Sequence, residues 1–334
     1  MKFGAVPLDQ ALGAILAHSI AGAEGRLRKG RVLEPTDLTT LAALGVTQVV
    51  VARLGSGDLD ENTAAARLAT SLVPDPAGQG LAVSASFTGR VNLNAVGPGI
   101  VDLNAAAIHA LNRLDPAITL ATLSPLTRVE AGTLVGTVKI IAYGVEGEAL
   151  ARACDLAAAA LRVRPVILKN AGLVLTSVPG QDPKLNAKGR RVIEARLASL
   201  GMALAETQEV THDEAAIAAA LRDLKGEMAL ILTGSATSDL HDTAPQALRM
   251  AGGTVMRFGM PVDPGNLLFL GSLAGRPVVG LPGCARSPAL NGADWVLERL
   301  ACGVAVSDDD IAAMGVGGLL KEIPSRPQPR EARR

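Results

Sequence analysis

The sequence predicts an α/β protein of three units, the last a doubly wound, mostly parallel sheet preceded by a small α/β unit and a β-rich domain. Three observations carry this. Past residue 160, short apolar runs alternate with amphipathic helical stretches, the pattern of parallel strands joined by crossover helices. Between residues 85 and 147, short apolar runs are broken by Gly and Pro, as in β-rich chains. Before residue 80, a β-branched run sits between two helical stretches. The units are placed at 1–80, 85–147 and 160–303, with 304–334 as a tail or linker.

In residues 7–17, Leu8, Leu12 and Ile15 recur at helical spacing behind Pro7, which predicts a helix. Residues 26–31 form a basic loop. Thr36 and Asp37 can cap a helix that ends at Gly45, and the β-branched run 46–51 follows as a strand. Residues 60–72 are helical, and the stretch Pro74-Asp75-Pro76-Ala77-Gly78 marks a boundary. In the second unit, 90–94, 99–102 and 118–123 are strands, 104–114 a helix, and 129–141 a hairpin-like pair with Gly at its bends. A helix over 148–161 leads into the third unit.

There, strands at 173–176, 202–206, 228–232 and 254–258 alternate with helices at 187–200, 213–224 and one from about Pro245 to Gly252. Thr211 and Glu214 have the spacing of a capping box, which makes His212 and Asp213 turn residues without a catalytic role. Residues 267–270 and 277–281 flank Ala274-Gly275 as a hairpin, and 289–300 is a final helix.

Composition narrows the function. Lys+Arg and Asp+Glu are equal at 32 each, and aromatic residues are 2% with one Trp and one Tyr. Neither a basic nucleic-acid surface nor a stacking platform follows from such a chain. No apolar run reaches the ~20 residues a membrane span requires, and the start lacks a signal-peptide layout, so a cytoplasmic location is expected. Cys154, Cys284 and Cys302 lack metal-ligand spacing, and their odd number argues against a disulfide framework. Cys154, in an Ala-rich helical run, belongs to the core. His109 is expected as a packed or surface histidine.

Two stretches carry the chemistry. The run 233–242, Thr-Gly-Ser-Ala-Thr-Ser-Asp-Leu-His-Asp, follows a strand that reads as buried on both faces. A loop of small residues and hydroxyls at the carboxyl end of such a strand suits a phosphate or oxyanion. Gly234, Ser235, Thr237 and Ser238 are its candidate contacts. Asp239 and Asp242 offer hard oxygen ligands for Mg²⁺; alternatively, Asp242 caps the helix that follows. The second stretch is Gly280-Leu281-Pro282-Gly283-Cys284-Ala285-Arg286-Ser287-Pro288. Its turn gives a second anion cradle in Pro282, Gly283, Arg286 and Ser287, with Arg286 as a bidentate phosphate donor. Otherwise the turn only redirects the chain and Arg286 is solvated. Neither a G-x-x-x-x-G-K-[ST] nor a G-x-G-x-x-G motif is present.

The order and spacing of these motifs over residues 165–303 resemble the molybdopterin-binding domain shared by MoeA, MogA and gephyrin proteins. That family's Thr-Gly-Gly loop closed by an aspartate resembles Thr233-Gly234-Ser235 with Asp242, and His241-Asp242-Thr243-Ala244-Pro245 resembles the MogA version. The family's Gly-Leu-Pro-Gly-Asn-Pro turn is matched by Gly280-Leu281-Pro282-Gly283-Cys284-Ala285. Residues 1–145 are similar to the amino-terminal part of MoeA-like proteins fused ahead of a molybdenum cofactor cytidylyltransferase. The resemblance implies molybdopterin, or its nucleotide form, as ligand and Mg²⁺ as cofactor. It also implies Asp242 as the catalytic metal ligand, helped by Asp239.

Departures accompany it. The family's Lys-Pro-Gly-Lys-Pro is Asp263-Pro264-Gly265-Asn266-Leu267 here, and its acidic Thr-Gly-Asp-Glu is Thr176-Ser177-Val178-Pro179. Three roles are therefore expected to compete: a molybdotransferase-like enzyme, a non-catalytic module presenting cofactor to a cytidylyltransferase, and a related nucleotide pyrophosphatase. The Pro-rich residues 321–334 read as a linker toward such a cytidylyltransferase partner. The sequence leaves open whether the chain forms a homo-oligomer.

Overall fold

A computed structural model describes residues 1–22 and 25–320, so the linker expected at 321–334 lies outside the described residues. The chain divides into two compact units. Unit 1 comprises Met1–Gly97 and Val101–Arg164, and unit 2 comprises Pro98–Ile100 and the chain from Pro165 on.

Unit 1 begins with β1 (Lys2–Pro7), a 3-10 turn at Leu8–Gln10 and β2 (Ile15–Leu16), followed by the hairpin β3 (Ile20–Gly22) and β4 (Gly25–Leu27). The helix predicted over 7–17 does not form. Gly13 takes a left-handed φ of 72° that ends any helical run. Ile15 and Leu16 instead pair with Ala52 and Val51 of β5 (Gln48–Arg53). The apolar residues read as one helical stripe fall in a turn and a strand instead, and Leu8 packs on a small core with Leu16, Leu41 and Val51. The first helix, α1 (Pro35–Ala43), is capped by Glu34 and not by Thr36 or Asp37, and the Asp37 carboxylate, three residues on, accepts the Glu34 N–H at 3.0 Å.

The strand β6 (Asp58–Asp60) precedes α2 (Glu61–Leu72), whose cap Asp60 accepts from Asn62 and Thr63 N–H. After β7 (Leu81–Val83), β8 (Arg90–Ala95) and β9 (Gly99–Leu103), α3 (Ala105–Leu114) is capped by Asn104. The remaining elements of this unit are β10 (Ile118–Thr122), β11 (Arg128–Val129), β12 (Leu134–Ile140), β13 (Gly144–Glu146), α4 (Gly147–Leu156) and β14 (Leu161–Pro165). The hairpin expected over 129–141 is a misassignment. β11 joins β9 and β14, whereas β12 lies between β10 and β8. Local alternation marked the strands correctly but cannot choose their partners. Cys154 is buried, with Leu68, Leu111 and Leu150, in the core of this unit.

Unit 2 is built on one six-stranded mixed sheet. Its elements are β15 (Asn170–Ser177), α5 (Lys184–Ala198), β16 (Ala203–Thr211), α6 (Glu214–Asp223), β17 (Met228–Leu232), α7 (Thr243–Met250), β18 (Thr254–Phe258), β19 (Phe269–Leu273), β20 (Arg276–Leu281), α8 (Gly292–Ala301) and α9 (Asp308–Ala313). The order is β16-β15-β17-β20-β19-β18. The first four strands are parallel, and β19 runs antiparallel to both of its neighbours, β20 and β18. A hairpin turn at Ala274-Gly275, with φ of 51° and 79°, produces that reversal.

The central strand β17 shows why the sheet is wound on both sides. Met228, Leu230 and Leu232 face the core formed with Ile193 and Leu197 of α5 and Val296 of α8. Ala229 and Ile231 face the core formed with Ile217 and Leu221 of α6 and Leu248 of α7. Period-2 alternation therefore puts apolar groups on both faces, each large side chain contributing about 1.5–3 kcal/mol when fully buried. Helix α6 is capped by Asp213, which accepts Ala216 N–H at 2.9 Å. Thr211 instead donates its hydroxyl to the Asp213 carboxylate, so the cap lies two residues beyond the one expected. Within 304–320, expected as tail, Ser307 caps α9 and Ile311 and Met314 enter the core under the sheet.

Candidate functional site

The parallel neighbours β15, β17 and β20 end at one edge of the sheet, in Thr176-Ser177, Thr233-Gly234 and Pro282-Gly283. In open α/β sheets, ligands bind outside the carboxyl ends of the strands. The two predicted cradles therefore flank one edge, and the packing shows what holds each.

The first loop is closed by backbone donors. Gly234 N–H donates to Thr176 Oγ1 at 2.8 Å, and Thr176, fully buried, also lies 2.9 Å from His212 Nδ1. A Cβ on Gly234 would come within 2.3 Å of Gln181 Oε1 and 2.9 Å of the Thr176 carbonyl, so only glycine allows this approach. Ser235 and Ser238 are exposed and Thr237 is buried. Asp242 caps α7: one carboxylate oxygen accepts Thr243 N–H at 2.7 Å and the other accepts Ser238 N–H at 2.8 Å. Burial pushes the Asp242 carboxyl up. The hydrogen bonds from Ser238 and Thr243, with the nearby His212, outweigh this and hold it below the usual carboxylate range. Asp239 accepts His241 N–H at 2.7 Å.

These partners test the Mg²⁺ expectation. Both oxygens of Asp242 are engaged in its own turn, and β15 ends without a carboxylate. Among the described residues, no three His, Cys, Asp or Glu side chains converge to hold a metal ion. The donor set does not fit a divalent cation.

The second loop holds a cation. Pro282 leads into a 3-10 turn at Gly283–Arg286, with Ala285 N–H on the Pro282 carbonyl at 2.8 Å. Arg286 Nη2 donates to the Thr233 carbonyl at 2.8 Å, tying this loop to the end of β17. Its Nε is buried without a partner. Burial lowers the guanidinium pKa from its ordinary value, yet an arginine stays charged. Gly189 of α5 packs beside it: a Cβ there would press on Leu232 at 2.9 Å while meeting Arg286 Cγ and Nε at an ordinary 3.6–3.7 Å.

The loop is fixed from beneath. Arg196 of α5 donates to the carbonyls of Ala285, Ser287 and Ala289 at 2.8–2.9 Å and pairs with Asp294 at 2.6 Å. Asn291, fully buried, caps α8 and places its Nδ2 3.1 Å from Cys284 Sγ. A cavity of about 330 Å³ opens here, lined by Lys188 and Leu185 of α5 with Pro264, Gly283, Arg286 and Ser287 among others.

The structure thus brings Gly234, Pro282, Gly283, Arg286 and Ser287 to one sheet edge, whereas Ser238, Asp239 and Asp242 form their own hydrogen-bonded turn before α7. Sequence reasoning missed Lys188, Arg196, Asn291 and the Thr176–His212 contact. Only Asn291 left a local signal, the capping box with Asp294.

Comparison with known proteins adds little. A family described as a domain of unknown function (DUF8806) matches residues 5–53. No curated protein matches the chain. Among solved structures, the molybdopterin biosynthesis MoeA protein of Pyrococcus horikosii is 13% identical over 90% of this chain and 76% of its own, with a TM-score of 0.32. A molybdenum cofactor biosynthesis protein of Pyrococcus furiosus is 13% identical over 93% of this chain and 65% of its own, at 0.24. At these TM-scores the likeness carries no weight for fold or function.

Proposed function

We propose that unit 2 binds a phosphate-bearing pterin, molybdopterin or its nucleotide form, and holds it for another protein in molybdenum cofactor biosynthesis. The observation that carries this is Arg286. Its guanidinium is anchored to the Thr233 carbonyl, lines the cavity, and keeps a buried Nε–H without an acceptor. A buried, unpaired N–H costs about 1–3 kcal/mol, a penalty that a small shift of the side chain toward a bound oxyanion would relieve. Backbone N–H groups and a pre-oriented guanidinium suit a phosphate monoester. The pterin half of the proposal rests on the motif order from Thr233 to Ser287.

Holding the cofactor is favoured over molybdate insertion because insertion needs charge at the reacting centre. The family's two lysines are replaced by Asp263 and Asn266, and Asp242 is occupied as a cap. The test is mass spectrometry of the small molecules released from protein purified out of molybdenum-replete cells. A phosphorylated pterin is expected, with no nucleoside monophosphate formed from an adenylylated pterin. Release of the same compounds in equal amount from an Arg286→Ala control would sink the proposal.

A further inference from the structure

We infer that the cavity beside Pro282 takes its phosphate without a divalent cation, with Lys188 and Arg286 acting as a two-cation clamp. This rests on the phosphate site proposed above and goes beyond it in naming what neutralises the charge.

A phosphate monoester carries between one and two negative charges at neutral pH. A metal-dependent site meets part of that charge with Mg²⁺ held by one or two carboxylates with free oxygens. The two carboxylates that cap the helices at these loops are committed to backbone donors, whereas Asp239 and Asp182 use one oxygen each for their own turns. The two oxygens of Asp242 hold Thr243, Ser238 and the start of α7. Asp182 accepts Lys184 N–H at 2.9 Å, and Asp294 is shared between Arg196 and Asn291 N–H. Ligating a metal through Asp242 or Asp294 would uncap a helix.

Positive charge is instead supplied by the chain. Arg286 reaches the cavity from the loop after β20, and Lys188 reaches it from α5, one turn into the helix. The two differ in kind. Arg286 is desolvated and fixed by the Thr233 carbonyl, so it offers oriented donors. Lys188 is exposed and flexible, a point charge able to follow the outer oxygens of the phosphate. Two cations against a dianion leave no charge for a metal to balance.

Calorimetry on the full chain with inorganic pyrophosphate as probe, in Mg²⁺ and in excess EDTA, tests this together with Mn²⁺ alone followed by electron paramagnetic resonance. With pyrophosphate's own chelation of Mg²⁺ allowed for, the affinity for the free anion is expected to agree within about two-fold between the two buffers, and Mn²⁺ alone to show no saturable site. Lys188→Gln should weaken pyrophosphate by roughly ten-fold in both buffers, and Lys188→Arg should restore most of it. Lys188 is exposed, so neither variant endangers folding, and thermal unfolding checks that. Binding that EDTA abolishes, or a stoichiometric Mn²⁺ site lost in Asp242→Asn, overturns the metal-free clamp and leaves the phosphate site standing. So does a Lys188→Gln protein that binds like the parent. Failure of the parent protein to bind pyrophosphate in either buffer removes the phosphate site itself, and the clamp with it.

Discussion

Two single residues lead to opposite predictions, Asp242 for stability and, on the function proposed above, Arg286 for affinity. Asp242 is an N-cap, so Asp242→Ala should cost about 1 kcal/mol of stability, whereas Asp242→Asn keeps one accepting oxygen but turns its amide nitrogen toward the other backbone N–H and should recover only part of that. Its carboxyl titrates below the usual range in the folded chain. A depressed folded pKa stabilises above the unfolded value, about 3.9, and that contribution disappears as pH falls through the folded value. The gap between the parent and Asp242→Asn should therefore be full at pH 6 and shrink below about pH 4; urea unfolding at several pH values measures it, and a gap that widens in acid refutes the assignment. Arg286 is different, because its side chain lines a cavity. Arg286→Ala should lower affinity for a phosphorylated pterin by about ten-fold or more while a dephosphorylated analogue changes little. Fluorescence titration with both compounds decides it, and equal losses would make Arg286 a purely structural tie between β17 and β20.

Elements position these residues through close approaches that the sequence announces only as glycine. Gly280 of β20 pairs with Phe269 of β19, and a Cβ at Gly280 would fall 1.9 Å from the Phe269 ring. The ring lies across the glycine and closes the core on that face of the sheet. Gly280→Ala must displace a fully packed aromatic and should cost roughly 3 kcal/mol in chemical denaturation. Adding Phe269→Leu should recover part of that loss, a coupling that a double-mutant cycle would expose; a cost below about 0.5 kcal/mol would mean the ring moves freely. Much at this scale was legible. The buried strand β17, the helices capped by Asn104 and Asp242, and the β19–β20 turn all follow from period, cap and turn chemistry. What failed was non-local. Residues 7–17 carried helical spacing that a turn and a strand also satisfy, and β11 and β12 looked like partners because nothing near them in sequence records that β12 lies between β8 and β10. Lys188 and Arg196 read as ordinary surface helix residues, since their roles appear only when α5 packs over the loop at 285–289.

Over the whole molecule, Lys+Arg and Asp+Glu balance at 32 each, so net charge does nothing to gather anions toward the site. The charge that matters is local and unevenly solvated. Salt screens an exposed cation over a Debye length of about 10 Å at 0.1 M, but acts far less on a desolvated one. Lys188 is exposed and Arg286 is half-buried, so the salt dependence of phosphate binding should come mainly from Lys188. Pyrophosphate affinity of the parent chain should then fall by roughly three- to five-fold between about 0.05 and 0.3 M salt, and that of Lys188→Gln by less than about two-fold. A protein that gathered anions through its overall field would lose far more, and would lose it equally in both variants. Calorimetry across that salt range distinguishes the two. A parallel fall in both chains would place the salt-sensitive charge somewhere other than Lys188, and Arg286 would then have to hold the phosphate by itself.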